Sequence, residues 1–391
     1  MTSVDGNRPI LTPAAGPQRA PEPTPRAPAA STVADSFTVE AGNRTESAPV
    51  SPEPAAPMPV TPLTLAASAA ETEGNVMALQ GSVGDHGGNR PADLARVAAR
   101  LETLGLLAAD HRDDPNAITA AITRFQETHG AAVAEIVAAN RTELFDDGSR
   151  GGTVSPGRIS PGDATHQALA NAWPRVLNGE TMTEAEAYAY LAGAAEAATG
   201  NFNESRINIV GVRAFQGGSA HENPRVSQRT NRYDDEIFVL SRTADGQPRV
   251  RSFMATTDPG GRQGFDRTPD PRTTLLEAGQ RVVYRVGTSP TARFQNRPAL
   301  WMQTHRGVLR DGELQEEATA ERNGRAVTVD SGIAIHSGGT SLAVTAYSTG
   351  CQVCQGNWYP AFYGEVAGAL RPDDDHRVFY TLLDGRDLPE P

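Results

Sequence analysis

Hydrophobic positions change their period along the 391 residues of the chain. Up to about residue 75 there is none. PQRAPEPTPRAPAAS and SPEPAAPMPVTP are rich in Pro, Ala, Ser and Glu, with too little apolar surface to offset the entropy of ordering the chain. Residues 1–75 therefore read as a disordered leader. From about 76 the apolar residues recur at helical spacing: Leu94, Val97, Leu101 and Leu104 follow Pro91, a good first-turn residue, and Gly105 suits the helix end. Asp114-Pro115 starts a second helix with Ile118, Ile122 and Phe125 on one stripe and Gly130 closing it, and residues 131–144 continue as a third. After the turn GRISPG at 157–162, Asp163 caps a short helix containing Leu169. Thr183 and Glu186 form a capping box before an alanine-rich helix to about 198, which Gly200 and Asn201 end.

Beyond residue 204 the period becomes two. RINIVGVRAF, EIFVLS, RVRSFMATT, QRVVYRV, ALWM, AVTV and IAIH are short β-branched or aromatic runs separated by turn residues. No intervening helix has the length of a parallel crossover, so the sheet is expected to be mainly antiparallel, with one late helix at 360–369 and VFYTLL at 378–383 as last strand. The expected fold class is multidomain α plus β, a small helical bundle followed by a β-sandwich-like domain. The boundaries are a leader at 1–75, a helical domain at 76–176, a helical connector at 177–203 and the β-rich domain at 204–385.

Charge and composition narrow the function. The net charge of −12, without a basic run interleaved with aromatics, disfavours nucleic acid and anionic lipid as partners. All 35 basic residues are Arg, which disfavours Schiff-base chemistry and a phosphate-binding loop that needs lysine. Residues 1–13 lack the pattern of a signal peptide and no apolar stretch of about 18 residues occurs, so no membrane insertion is expected and any export takes another route.

The two cysteines, Cys351 and Cys354, are too few for a disulfide framework and lie within IAIHSGGTSLAVTAYSTGCQVCQG, residues 333–356. A strand ending on His336 and a small-residue loop deliver Cys351 fifteen residues later. A thiol near pKa 8.5 needs a base to become a nucleophile at neutral pH, and His336 is the nearest in sequence. Gly350 permits a tight turn, after which the amides of Gly350 and Cys351 can face an oxyanion, each such donor supplying about 3 kcal/mol.

Rival chemistries use the same residues. Cys351-x-x-Cys354 is a redox spacing, but that chemistry wants the motif opening a helix in a βαβ context. Cys351, Cys354, His336 and His305 are zinc-ligand types at no common finger spacing. Both cysteines can also be plain buried residues. A disulfide between the two would act as a redox switch. His305, after ALWMQT, is a candidate for the cleft; His86, His111, His129, His166, His221 and His376 have no paired motif and read as surface or satisfied core residues. No cofactor and no metal is expected.

The segment resembles the L,D-transpeptidase catalytic motif, His followed by Ser or Gly, a spacer of about fifteen, then Ser-x-Gly-Cys: His336-Ser337 and Ser348-Thr349-Gly350-Cys351 match it. Thr349 stands where that family usually has His, and Gln352-Val353 where it has Arg or Asn. The resemblance implies that Cys351 attacks the acyl carbonyl of a wall stem peptide and that His336 takes the thiol proton. It also implies that the Ser337 carbonyl orients the imidazole, Ser348 shapes the loop, and Thr349 lends a backbone amide; Gln352 is the candidate substrate donor. TTDPG at 256–260 and QRVVYRVGTS at 280–289 extend the likeness loosely over 204–384. Upstream, VAARLETLGLL, AITRFQ and GRISPGDATHQAL resemble a peptidoglycan-binding module over about 81–173, with an insertion at about 131–155 and Gly162-Asp163-Ala164 between Pro161 and Thr165.

The function expected is thus a cysteine acyltransferase or peptidase on peptidoglycan stem peptides. The alternative is a non-enzymatic peptidoglycan-binding or structural component of a phage-like or contractile injection particle, with the leader as the address read by that apparatus. The expected site of action is a bacterial cell wall reached by a non-classical route.

Overall fold

A computed structural model describes residues 76–141, 152–217, 219–220, 232–258, 275–288, 297–303, 318–322, 325–329, 333–341, 344, 347–348 and 350–391, all within Thr61–Pro391, one of two units into which the chain divides. The leader, His305 and Thr349 lie outside the described residues.

The helix signals act where the sequence places them. Helix α1 (Pro91–Thr103) has Pro at its first position and buries Val97 and Leu101, with Gly105 left-handed at φ 70° just beyond it. Asp114 accepts from Asn116 N at the start of α2 (Pro115–Thr128), which buries Ile118, Ile122 and Phe125. A break at His129 ends α2 one residue before Gly130, and the third helix, α3 (Gly130–Asn140), starts at Gly130 itself. Asp163 caps α4 (Ala164–Asn171), Thr183 and Glu186 form the full capping box of α5 (Glu184–Thr199), and Gly200 ends α5 in the left-handed region. The late helix is α6 (Tyr359–Ala369).

The sheet is a closed barrel rather than the expected sandwich. Its strands are β1 (Asn208–Arg213), β2 (Asp235–Arg242), β3 (Pro248–Thr256), β4 (Gln280–Thr288), β5 (Pro298–Gln303), β6 (Ala334–Ser337), β7 (Gln352–Cys354) and β8 (Arg377–Asp384). They run in the order β4-β5-β6-β7-β3-β2-β1-β8. Pairing of β8 with β4, from Gln280↔Leu382 to Arg285↔Arg377, closes the ring and removes both edges. The pairs are antiparallel except β6–β7 and β8–β1.

Helices and barrel share one interior. Leu101, Phe125 and Leu169 from the helices belong to the same apolar core as Ile209, Ile237, Tyr284 and Val353 from the barrel. Polar bonds pin the contact. Asn171 exchanges bonds with Ser252 N and O (2.6 and 3.0 Å), and Gln167 Nε2 donates to Asn357 O (2.7 Å). Gly162, at φ 75°, packs so closely on Asn357 that a Cβ would overlap it, so Gly162 makes the approach and Asp163 caps the helix. The segment expected as a connector is a packed layer, since Leu177, Met182, Ala187 and Leu191 form a second core with Val210, Val212, Phe238 and Leu240. Among the described residues no helix is long and apolar enough to cross a membrane.

Candidate active site

Strand β6 exists because Ile333 to Ile335 are apolar and fully framed by neighbours, Ala334 facing Trp301 on β5 and His336 facing Val353 on β7. Parallel strands need a crossover, and here residues 338–351 supply it. Its start requires glycine: a Cβ at Gly338 would overlap Tyr233 Oη and crowd Val353, while Gly338 N donates to Cys354 O (2.8 Å). Gly338, after His336-Ser337, is therefore a packing requirement, a signal in the motif that the sequence reading did not use.

Cys351 stands immediately before β7, level with Ala334. Its Sγ accepts the Ala334 N–H at 3.4 Å, so the thiol reaches the strand that carries His336. His336 pairs with Val353, two residues beyond Cys351, an offset of about 6.6 Å along the strand at ~3.3 Å per residue. Residues two apart in a strand return to one face, so Cys351, Val353 and His336 share it. His336 is half-buried and its Nδ1 lies 2.8 Å from Ser337 O. A carbonyl can only accept, so Nδ1 carries the proton and Nε2 is the basic nitrogen.

Two small residues shape the loop. Ser348, buried, donates to Cys351 O (2.7 Å) and accepts from Gly350 N (3.1 Å). Of the two amides expected to face an oxyanion, that of Gly350 is thus turned to Ser348 Oγ. Gln352 is corrected more fully. It is completely buried, its Oε1 accepting from Tyr380 Oη (3.0 Å) and its Nε2 lying 3.5 Å from Gly350 O, so it braces the barrel and faces no substrate. Tyr380 and Tyr284, packed edge to face at 5.5 Å, are the missed residues of this interior; Tyr284 is fully buried and its hydroxyl has no hydrogen-bond partner. Alternation within QRVVYRV was the available signal.

Electrostatics bear on how the thiol is used. Burial raises the Cys351 pKa, and the Ala334 N–H offsets that only in part. Cys354 is fully buried and burial drives its pKa up strongly. The two cysteines form no disulfide with each other. Three residues apart in extended chain, their Cα atoms are about 10 Å apart and their side chains leave opposite faces, whereas a disulfide needs about 7 Å or less. The expected disulfide switch is therefore corrected: the strand would have to unzip first. Among the described residues, no group of three or more His, Cys, Asp or Glu is placed to hold a metal ion.

Comparison of the chain with family models, with curated proteins and with solved structures gives no match.

Proposed function

We propose that this chain is a cysteine acyltransferase acting on peptidoglycan stem peptides, an L,D-transpeptidase-like enzyme or its carboxypeptidase or endopeptidase counterpart. One observation carries the reading: the Cys351 thiol lies against the strand of His336, whose Nδ1 is held by the Ser337 carbonyl. Because burial raises the Cys351 pKa, the resting nucleophile is the neutral thiol. Proton transfer to His336 Nε2 then accompanies attack of sulfur on the acyl carbonyl. Collapse of the tetrahedral intermediate breaks the C–N bond, the departing amine takes the proton from the imidazolium, and a thioester on Cys351 remains. An incoming amine or water attacks that thioester, giving a cross-link or a trimmed stem and returning the thiol. The packed helical layer, resembling a peptidoglycan-binding module, would hold the enzyme on its polymer and raise the effective concentration of stem peptides. The test is incubation with purified sacculi followed by mass analysis: a new cross-link, a lost terminal residue and a broken bridge differ in mass, and turnover retained by Cys351→Ala would sink the reading.

A second reading, a non-enzymatic wall-binding or structural component of a phage-like or contractile particle, is favoured by the raised Cys351 pKa, which also suits an inert core thiol. Sacculi that sediment the protein while their muropeptide masses stay unchanged would favour it.

A further inference from the structure

A cleft of about 910 Å³ opens between β4, β5, α6 and the turn that leads into β8. Trp301, Tyr363 and Leu370 supply its apolar wall. The frame is tied at two points: Tyr363 Oη donates to Gly287 O (3.2 Å), and Val286 N donates to His376 O (2.7 Å). Asp375 and His376 are both left-handed without being glycine, at φ 51° and 57°, a conformation that the surrounding structure must hold.

Charge selects the ligand. The lining holds Arg285, Arg371 and His376 and, among the described residues, no Asp or Glu, in a chain of net charge −12. Arg285 stands directly opposite Arg377 in the β4–β8 register, and like charges so placed destabilise a sheet. The nearby carboxylates are engaged elsewhere: Asp375 lies 3.6 Å from Arg377, and Asp374 pairs with Arg206 at 3.1 Å. Arg285 and Arg371 have no ion-pair partner among the described residues. Two guanidinium groups without carboxylates, beside an aromatic wall, fit an oxyanion carried on a flat or apolar body.

The cleft also adjoins the cysteine. Residues paired across strands share a face, so Arg285, opposite Trp301, and Trp301, opposite Ala334, stand on the face of Ala334, whose N–H the Cys351 thiol accepts. Two strand spacings of ~4.8 Å put Arg285 about 10 Å from Ala334. We propose that this cleft is an anion-binding subsite flanking Cys351, in which Arg285 and Arg371 hold the carboxylate or phosphate of a ligand whose apolar body lies on Trp301 and Tyr363. Its place in substrate choice rests on the acyl-transfer reading: the acyl donor then carries its anionic group about three residue lengths, at ~3.4 Å each, from the carbonyl that meets Cys351. Binding itself is measured without turnover, so it stands or fails apart from the role of Cys351.

The probes are hippurate, a carboxylate on an aromatic amide body, its neutral amide hippuramide, and phenyl phosphate, each titrated calorimetrically into the full chain at pH 7 and low salt. Saturable one-to-one binding of an anionic probe is expected, with hippurate at least about tenfold tighter than hippuramide and weakened by added salt. Arg285→Gln and Arg371→Gln, both at exposed positions, should each weaken it about tenfold, while thermal denaturation confirms that both variants fold. Phenyl phosphate bound more tightly than hippurate assigns the oxyanion to a phosphate, and the reverse order to a carboxylate. Equal affinity for hippurate and hippuramide, no binding of either anion at millimolar concentration, or affinity unchanged in both variants overturns the proposal.

Discussion

His166 and His336 show how differently two parts of one fold use the same side chain. His166 on α4 is fully buried, with Nε2 2.7 Å from Val76 O and Nδ1 accepting from Gly162 N at 2.7 Å, and burial lowers its pKa to about 4. Both ring nitrogens hold backbone in place, so its protonation can only disrupt. His336 ends a strand, half-buried, with Nδ1 on the carbonyl of the next residue and a cysteine on the adjoining strand. The comparison teaches that a histidine's role follows from what its ring nitrogens bind, more than from burial alone.

The largest effects break the His336 side of the comparison. Cys351→Ala should lower peptide release from sacculi by at least about 10³-fold, measured by mass analysis, with the denaturation midpoint little changed. His336→Gln should cost about 10²–10⁴-fold and flatten the acid limb of the rate–pH profile, since no group then accepts the thiol proton. A full pH profile retained in His336→Gln would assign the base elsewhere.

The His166 side is sharpened by stability. Its folded pKa, about 4, lies below the unfolded value of 6.5, so between these pH values the unfolded chain binds a proton that the folded one refuses, and stability falls as pH falls. Asp163, three residues away, opposes it: burial raises its pKa from 3.8 to about 7, so the folded state keeps a proton there and stability falls as pH rises through that window. His166→Gln removes only the first slope. The variant should be less stable than the parent at pH 7, and urea titrations should show that deficit shrinking by about 3 kcal/mol on going to pH 4. A constant deficit would mean that His166 is not held neutral.

Much of the helical layer was legible because its determinants are local. Pro91, Asp114, Asp163, the Thr183–Glu186 pair and Gly200 act within one turn of where they stand. Barrel closure was not legible, because the pairing of Gln280 with Leu382 joins runs about a hundred residues apart that have the same period in a sandwich. For the same reason Gln352 was misread. Its neighbour Cys351 made it a candidate for substrate contact, but alternation turns it to the other face, against Tyr380. Local motif reading identifies residue types; strand parity and register decide which of them meet.

The smallest expected effect tests the loop between the two strands. Ser348 Oγ does for this loop what the Asp163 carboxylate does for α4, where Oδ1 takes His166 N (2.7 Å) and Oδ2 takes Ser160 N (2.6 Å). Ser348→Ala removes the donor to Cys351 O and leaves the Gly350 N–H without its acceptor, a loss of about 1–3 kcal/mol. Catalytically the change cuts two ways, since it loosens Cys351 yet frees an amide that can turn to an oxyanion. If positioning dominates, kcat falls about tenfold with KM unchanged and Ser348→Thr restores it. If Gly350 instead serves as an oxyanion donor once released, kcat holds or rises while the urea midpoint still drops, and the turn in the resting protein is then a closed form that substrate must open.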